Sequence, residues 1–478
     1  MSFVSFQFAV FFVVVSLGFR AIPSRWRWIW LVLASCWFYM ALVPAYILIL
    51  FALIAIDYTA GIWLEKTSDP RKKRWVLIGS LAANLAMLAT FKYLNFLLGN
   101  LSGLAETVGL GSLAWRFPLA LPIGLSFHTF QSMAYTLEVY RGNHKAEKHL
   151  GLYALYVLFY PQMVAGPIER PQNLLDQFLR KQPFSWPQFV SGLQLMVWGF
   201  AKKVLVADRL GMVVEKVYAD PGHQSGWMLL LGTIFFAFQI YCDFSGYTDI
   251  ARGIARTMGY KLMLNFNHPY SSRSPGEFWR RWHISLSTWF RDYLYIPLGG
   301  SRGSAWKTSR NILIVFLLSG LWHGANWTFL AWGGLHGLYL IGQKELSSRF
   351  GKTDWWLQQE DRTYMRTLLV VLTFSLTTLA WVFFRAVDMP SAWIVLKGLA
   401  APGNMAGLGL ACSDSAVRLG LALIVGLEIL QWLHRKKSMI LRLAGMPWPL
   451  RWGLWYALIL VIIVFGKFGN EEFLYFRF

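Results

Sequence analysis

Charge is what this chain lacks. Only 14% of its 478 residues are Asp, Glu, Lys or Arg, while 56% are hydrophobic. Soluble domains carry about a quarter charged residues, so the shortage excludes an ordinary water-soluble fold and points to lipid as the solvent. No long polar stretch or low-complexity linker interrupts the chain, which argues against a separate soluble domain. No internal repeat of roughly 20–50 residues is visible, which excludes a solenoid. Barrel-type alternation is also missing, so closed helices must satisfy the backbone. Cysteine is scarce: Cys36, Cys242 and Cys412 lie far apart, with no CxxC or Cys/His spacing. A disulfide framework and a structural zinc site are therefore not expected, and no metal site is assigned.

The start of the chain lacks a signal-peptide pattern. The apolar run Phe3 to Phe19 has no basic residue before it, and the first positive charge, Arg20, comes after it. Without a positive n-region it reads as a retained helix with its N-terminus outside.

Positive charge is present in excess, 45 Lys and Arg against 24 Asp and Glu. The basic residues sit between apolar spans, and no nucleic-acid motif accompanies them, so nucleic acid is not an expected partner. Cytoplasmic loops and anionic lipid headgroups account for them. Arg20, Arg25 and Arg27 follow the first span. Two further spans, Ile29–Met40 and Tyr46–Trp63, lead to Lys66, Arg71, Lys72, Lys73 and Arg74, which places both clusters on one face. A fourth span, Trp75 to Leu98, opens on Gly99–Trp115, whose only charge is Glu106, and that loop is expected outside. Apolar segments recur near 117–137, 150–166, 187–207, 227–242, 310–341, 367–384, 416–432 and 450–467. At about 20 residues per crossing, the sequence predicts an all-α polytopic bundle of about eleven or twelve spanning helices. Segments near 245–260 and 278–297 are expected to be short re-entrant or interfacial helices, the whole of 1–478 forming one integral-membrane domain.

Between about 239 and 340 the apolar pattern is broken by polar, aromatic and glycine residues, which at membrane depth face a cavity or the protein interior. In Gln239-Ile-Tyr-Cys-Asp-Phe-Ser-Gly-Tyr-Thr-Asp249, Asp243 and Asp249 read as a helix cap or turn, with a catalytic role the alternative. In Phe278-Trp-Arg-Arg-Trp-His283-Ile-Ser-Leu-Ser-Thr-Trp289, helical spacing places His283 and Ser287 on one face, with Trp279 a turn earlier. Arg280 and Arg281 could hold phosphates, or the segment could be an interfacial helix on lipid phosphates. The third piece, Leu317 through Gly337, carries no charge until Lys344. His323 lies near membrane depth there, Gly320 and Gly324 leave room for a substrate or another helix, and Asn326 and Trp327 flank it. A neutral imidazole at that position can take a proton from a hydroxyl, as acyl transfer to an alcohol demands. A buried structural histidine is the alternative. His336 belongs to that class, because on a continuous helix it lies on a different face roughly 20 Å further along.

These pieces resemble the membrane-bound O-acyltransferase (MBOAT) family, most closely its bacterial alginate O-acetyltransferase (AlgI-type) branch. The resemblance is carried by Leu121 to Gln131, Pro161 to Arg170, Gln239 to Asp249, Phe278 to Gly300, Ser319 to Gly337 and the closing Glu472 to Phe478. It implies a funnel-like core, with the catalytic region at 117–345. His323 matches the family's essential histidine and His283 its second one, while Trp279, Arg280, Arg281, Ser287, Asn326 and Trp327 are candidates for holding the donor. Acetyl-CoA is implied as the donor substrate, with no bound cofactor. The setting implied is the bacterial inner membrane, with an extracytoplasmic polysaccharide acetyltransferase partner (AlgX/AlgJ-like) and lipids as neighbours. A D-alanyl donor, or cellulose or peptidoglycan as acceptor, stays open, as does a covalent acetyl intermediate. A transporter is the rival outside enzymes, but the polar interruptions cluster once with no matching half.

Overall fold

A computed structural model describes residues 1–41, 43–112, 117–118, 121–351, 353, 362–436, 445–468 and 473–474, with side chains of 434–436 left aside. The described residues are helical with no strand. In chain order the helices are α1 (Phe6–Ala21), α2 (Arg27–Met40), α3 (Ile47–Lys66), α4 (Pro70–Leu88), α5 (Leu94–Thr107), α6 (Leu125–Tyr140), α7 (Leu150–Leu158), α8 (Pro171–Phe178), α9 (Trp186–Phe200) and α10 (Asp208–Ala219). There follow α11 (Gly226–Thr257), α12 (Pro275–Arg281), α13 (Ile284–Phe290), α14 (Ala305–His323), α15 (Trp327–Phe350), α16 (Thr363–Arg385), α17 (Met389–Ala400), α18 (Met405–Ser413), α19 (Ser415–Lys436) and α20 (Trp448–Phe465).

Among the described residues, seven helices are long and apolar enough to cross a membrane, or eight if α17 and α18, bent by 117°, make one span. The expected eleven or twelve also counted shorter apolar runs, such as α1 (Phe6–Ala21). The run near 150–166 holds a helix of only nine residues, and 159–169 continue as buried non-helical backbone. Such backbone is tolerated where protein covers it. The segment near 245–260, expected as a separate short helix, continues the one near 227–242 in a single helix, α11, of 32 residues.

Contacts gather the chain into two compact units, one of Met1–Leu193 with Ala251–Met263 and the other of Gln194–Ile250 with Leu264–Arg477. In the first, α3, α4 and α6 meet around Asp57. Its carboxylate accepts from Ser80 Oγ and Thr136 Oγ1, each at 2.6 Å, and from Asn84 Nδ2 at 2.9 Å. A buried charge needs such donors, because its hydration is lost.

The second unit holds α14 and α15, packed as a tight antiparallel hairpin. Glycine is required where they cross: a Cβ on Gly320 would lie 2.2 Å from Phe329 O, and one on Gly333 2.2 Å from Phe316 O. Of the two uses the sequence left open for Gly320, the structure selects room for another helix. In the same unit a π-helical turn, Ala201–Ala207, follows α9 and turns two consecutive lysines inward. Lys202 Nζ meets Asp249 at 2.5 Å, and Lys203 Nζ meets Asp243 at 2.6 Å and Asp208 at 2.8 Å. Asp243 and Asp249 therefore do not cap a helix. They lie inside α11 as partners of buried cations.

Candidate active site

The site is built from the breaks between α12 and α13 and between α14 and α15. Helix α12 starts at an N-cap, Ser274, whose Oγ accepts from Glu277 N at 3.2 Å, and Glu277 Oε2 accepts from Arg273 N, just before the cap, at 2.7 Å. It ends after about two turns, and His283 adopts a left-handed conformation, φ 42° and ψ 55°. A non-glycine residue there is strained, and such strain clusters at functional sites. Asn265 holds the break in place: its carbonyl accepts from Ile284 N at 3.0 Å, and its Oδ1 accepts from Ser285 N at 3.1 Å and Ser285 Oγ at 2.9 Å. Sequence reading missed Asn265, because its use depends on a turn 20 residues away.

The two histidines meet. The rings of His283 and His323, both buried, have centroids 6.3 Å apart. Aromatic rings enclose them: Phe244 stands 4.7 Å from His283, and Trp322, Trp332 and Phe384 stand 5.0, 5.0 and 5.3 Å from His323. Edge-to-face contacts of this kind fix ring orientation.

His336 is placed otherwise than the continuous-helix reading expected. The chain reverses after His323, so α15 runs back beside α14 and carries His336 to Phe316 of α14, with ring centroids 6.3 Å apart. Its Nδ1 accepts a hydrogen bond from Trp279 Nε1 at 3.2 Å. Trp279 in turn lines a cavity of about 410 Å³, together with Arg280, Ser287, Arg291, Phe316 and Ser319. Ile284, which follows His283, lines it too, and Ser319 lies one helical turn before His323.

The other candidates separate into two groups. Trp279, Arg280 and Ser287 line the cavity. The backbone N–H of Ser287 donates to His283 O, one helical turn earlier, at 2.9 Å, and its Oγ donates to Trp282 O at 3.1 Å. Arg281 is engaged by Glu277 at 2.7 Å. Asn326 caps α15: its Oδ1 accepts from Thr328 N at 3.1 Å, and its Nδ2 donates to Val387 O at 2.9 Å. Trp327 is exposed. Arg302, just before α14, and Lys307, in its first turn, are exposed outside the cavity lining, where Arg291 stands instead. The closing segment Glu472–Phe478 lies largely outside the described residues, but Phe473 meets Phe244 edge-to-face at 5.7 Å and Leu474 N donates to Asp243 at 2.9 Å.

Residues 144–356, which contain both histidines of the site, match the membrane-bound O-acyltransferase family. A probable alginate O-acetylase AlgI of Azotobacter vinelandii is 38% identical over 84% of this chain and 79% of its own length. Its counterpart in Pseudomonas aeruginosa is 37% identical over 84% and 76%. A peptidoglycan O-acetyltransferase of Helicobacter pylori is 35% identical over 78% and 73%. The chain is a multi-pass membrane O-acyltransferase and belongs to the membrane-bound O-acyltransferase family.

Proposed function

We propose that this enzyme carries an acetyl group from acetyl-CoA, bound from the cytoplasmic side of the bacterial inner membrane, to an exopolysaccharide such as alginate outside it. An extracytoplasmic acetyltransferase partner (AlgX/AlgJ-like) takes the group to the polymer. The observation that carries this reading is the buried pair His283 and His323 beside a cavity of about 410 Å³. A slender pantetheine arm suits a cavity of that size, and Arg280 and Arg291 on its wall offer planar donors for phosphates. The acceptor is inferred from the alginate O-acetylases that the chain resembles. The Helicobacter relative keeps peptidoglycan as the second candidate.

In the proposed reaction, His323 takes the proton of the acceptor hydroxyl as its oxygen attacks the thioester carbonyl carbon. His283 donates a hydrogen bond to the oxyanion, since both ends of the Asn326 amide are engaged elsewhere. The C–S bond then breaks, its electron pair leaves with sulfur, and His323 returns the proton to the thiolate. General-base catalysis supplies about 10²–10⁴-fold and a preorganised oxyanion donor several kcal/mol more.

The test is CoA release by purified, folded protein with the polymer and its copurifying extracytoplasmic proteins. His323→Ala should lose at least about 100-fold. Near-normal turnover in that variant would remove the reading.

A further inference from the structure

Away from the histidine pair, within the first compact unit, three arginines converge on a second, small cavity. Arg20, Arg27 and Arg256 line a space of about 30 Å³, together with Gln182, Phe184 and Thr257. No Asp or Glu lines it. Among the described residues, none of the three makes an ion pair. Arg27 donates to carbonyl oxygens only, those of Ile22 and Gln182, each at 3.2 Å. Arg20 lies over two rings, 4.4 Å from the Phe184 centroid and 4.1 Å from that of Phe189, and its Nη2 is buried without a hydrogen-bond partner. Like charges held this close repel one another, and an unsatisfied buried guanidinium N–H adds a desolvation cost. An anion in the cavity removes both costs.

The surroundings select the anion. A space of this size holds roughly two water-sized groups, which fits the free oxygens of one phosphate and not a nucleotide or an acyl chain. Three apolar helices end here: α1 at Ala21, the candidate span Trp186–Ala219 at its start, and the candidate span Gly226–Thr257 at its finish. Such ends mark the headgroup level of a bilayer. Trp26, Phe184 and Trp186 are exposed beside them, as side chains of an interfacial aromatic belt are. Arg20 and Arg27 also belong to the first basic cluster assigned to the cytoplasmic face, where anionic lipids lie.

We propose that Arg20, Arg27 and Arg256 form a binding site for the phosphate of an anionic phospholipid headgroup. It is separate from the acetyl-transfer site and does not depend on how that reaction proceeds.

The full-length protein in mild detergent can be titrated with phosphatidylglycerol, with phosphatidylcholine and with inorganic phosphate. Thermal unfolding and native mass spectrometry report binding. Phosphatidylglycerol should raise the unfolding midpoint and stay bound, while phosphatidylcholine should do so less. Arg20→Gln and Arg256→Gln should each weaken retention by about tenfold, which is about 1.4 kcal/mol. Arg256 is exposed, so its variant tests the site with little risk to folding. Arg25→Gln removes an exposed charge of the same cluster that does not line the cavity, and it should change nothing. Equal losses in Arg25→Gln and Arg20→Gln would reduce the effect to diffuse surface charge and overturn the site. Full protection by inorganic phosphate with none by the lipid would overturn the lipid assignment, and identical titrations of wild type and variants would overturn the proposal entirely.

Discussion

At the scale of single residues, His336 changes meaning most. In the sequence it is a histidine thirteen positions past His323, and a continuous helix would carry it well away. The Gly324–Asn326 break folds it back, and its Nδ1 receives the Trp279 N–H at 3.2 Å. Trp279 walls the cavity, so under the proposed function His336 would position the donor through Trp279. His336→Phe keeps the ring and loses the acceptor. One hydrogen bond contributes about 1 kcal/mol, so the KM for acetyl-CoA should rise about fivefold while kcat changes little. His336→Gln, which retains an acceptor, should recover part of that loss. A collapse of kcat matching His323→Ala would instead place His336 in the chemistry. The identities of His283 and His323 were legible from their unusual apolar setting and their motifs. Their 6.3 Å approach was not, because it joins two helix breaks that local spacing does not encode.

At the scale of elements, apolar runs located helices well but did not separate a crossing from a hairpin. Residues 310–341 read as one long apolar stretch, yet α14 and α15 reverse at Gly324–Asn326. The cue was in the glycines, whose spacing permits backbone contact, but a missing side chain serves a substrate and a neighbouring helix equally. The difference is measurable. Gly320→Ala pushes a methyl against Phe329 O, and Gly333→Ala pushes one against Phe316 O. Overpacking of this kind costs about 1–3 kcal/mol, so each variant should unfold at lower temperature by fluorescence-detected chromatography. Gly334→Ala, whose Cβ would sit 3.8 Å from Leu317, should match the wild type. Equal midpoints for all three variants would contradict the hairpin packing. The π-helical turn at Ala201–Ala207 was also invisible, because nothing in Ala201-Lys-Lys203 announces that both lysines face inward. Asp243 and Asp249 consequently looked like cap residues, when each is the counter-charge of a buried cation.

At the scale of the whole molecule, membrane residence followed from composition alone, since 14% charged residues cannot coat a soluble protein of this length. Orientation rests on the positive-inside rule, and the first unit makes it testable. The candidate span Pro70–Thr107 has 38 residues, and at 1.5 Å per residue it reaches roughly 57 Å, well beyond a hydrocarbon core of roughly 30 Å. A helix of that length that crosses the membrane puts both ends in water on opposite sides. Lys66 and Arg71 to Arg74 mark one end, and the other end carries Glu106 alone. The rule assigns the first end to the cytoplasm and the second to the outside. Ser68 and Ser112 are both exposed and lie just beyond the two ends. In a chain whose three native cysteines are replaced by serine or alanine, Ser112→Cys should react with a membrane-impermeant maleimide in intact cells. Ser68→Cys should react only after lysis. The reverse pattern would invert the protein. It would also place the three-arginine cavity on the outer face and leave acetyl-CoA without access from the side assigned to it.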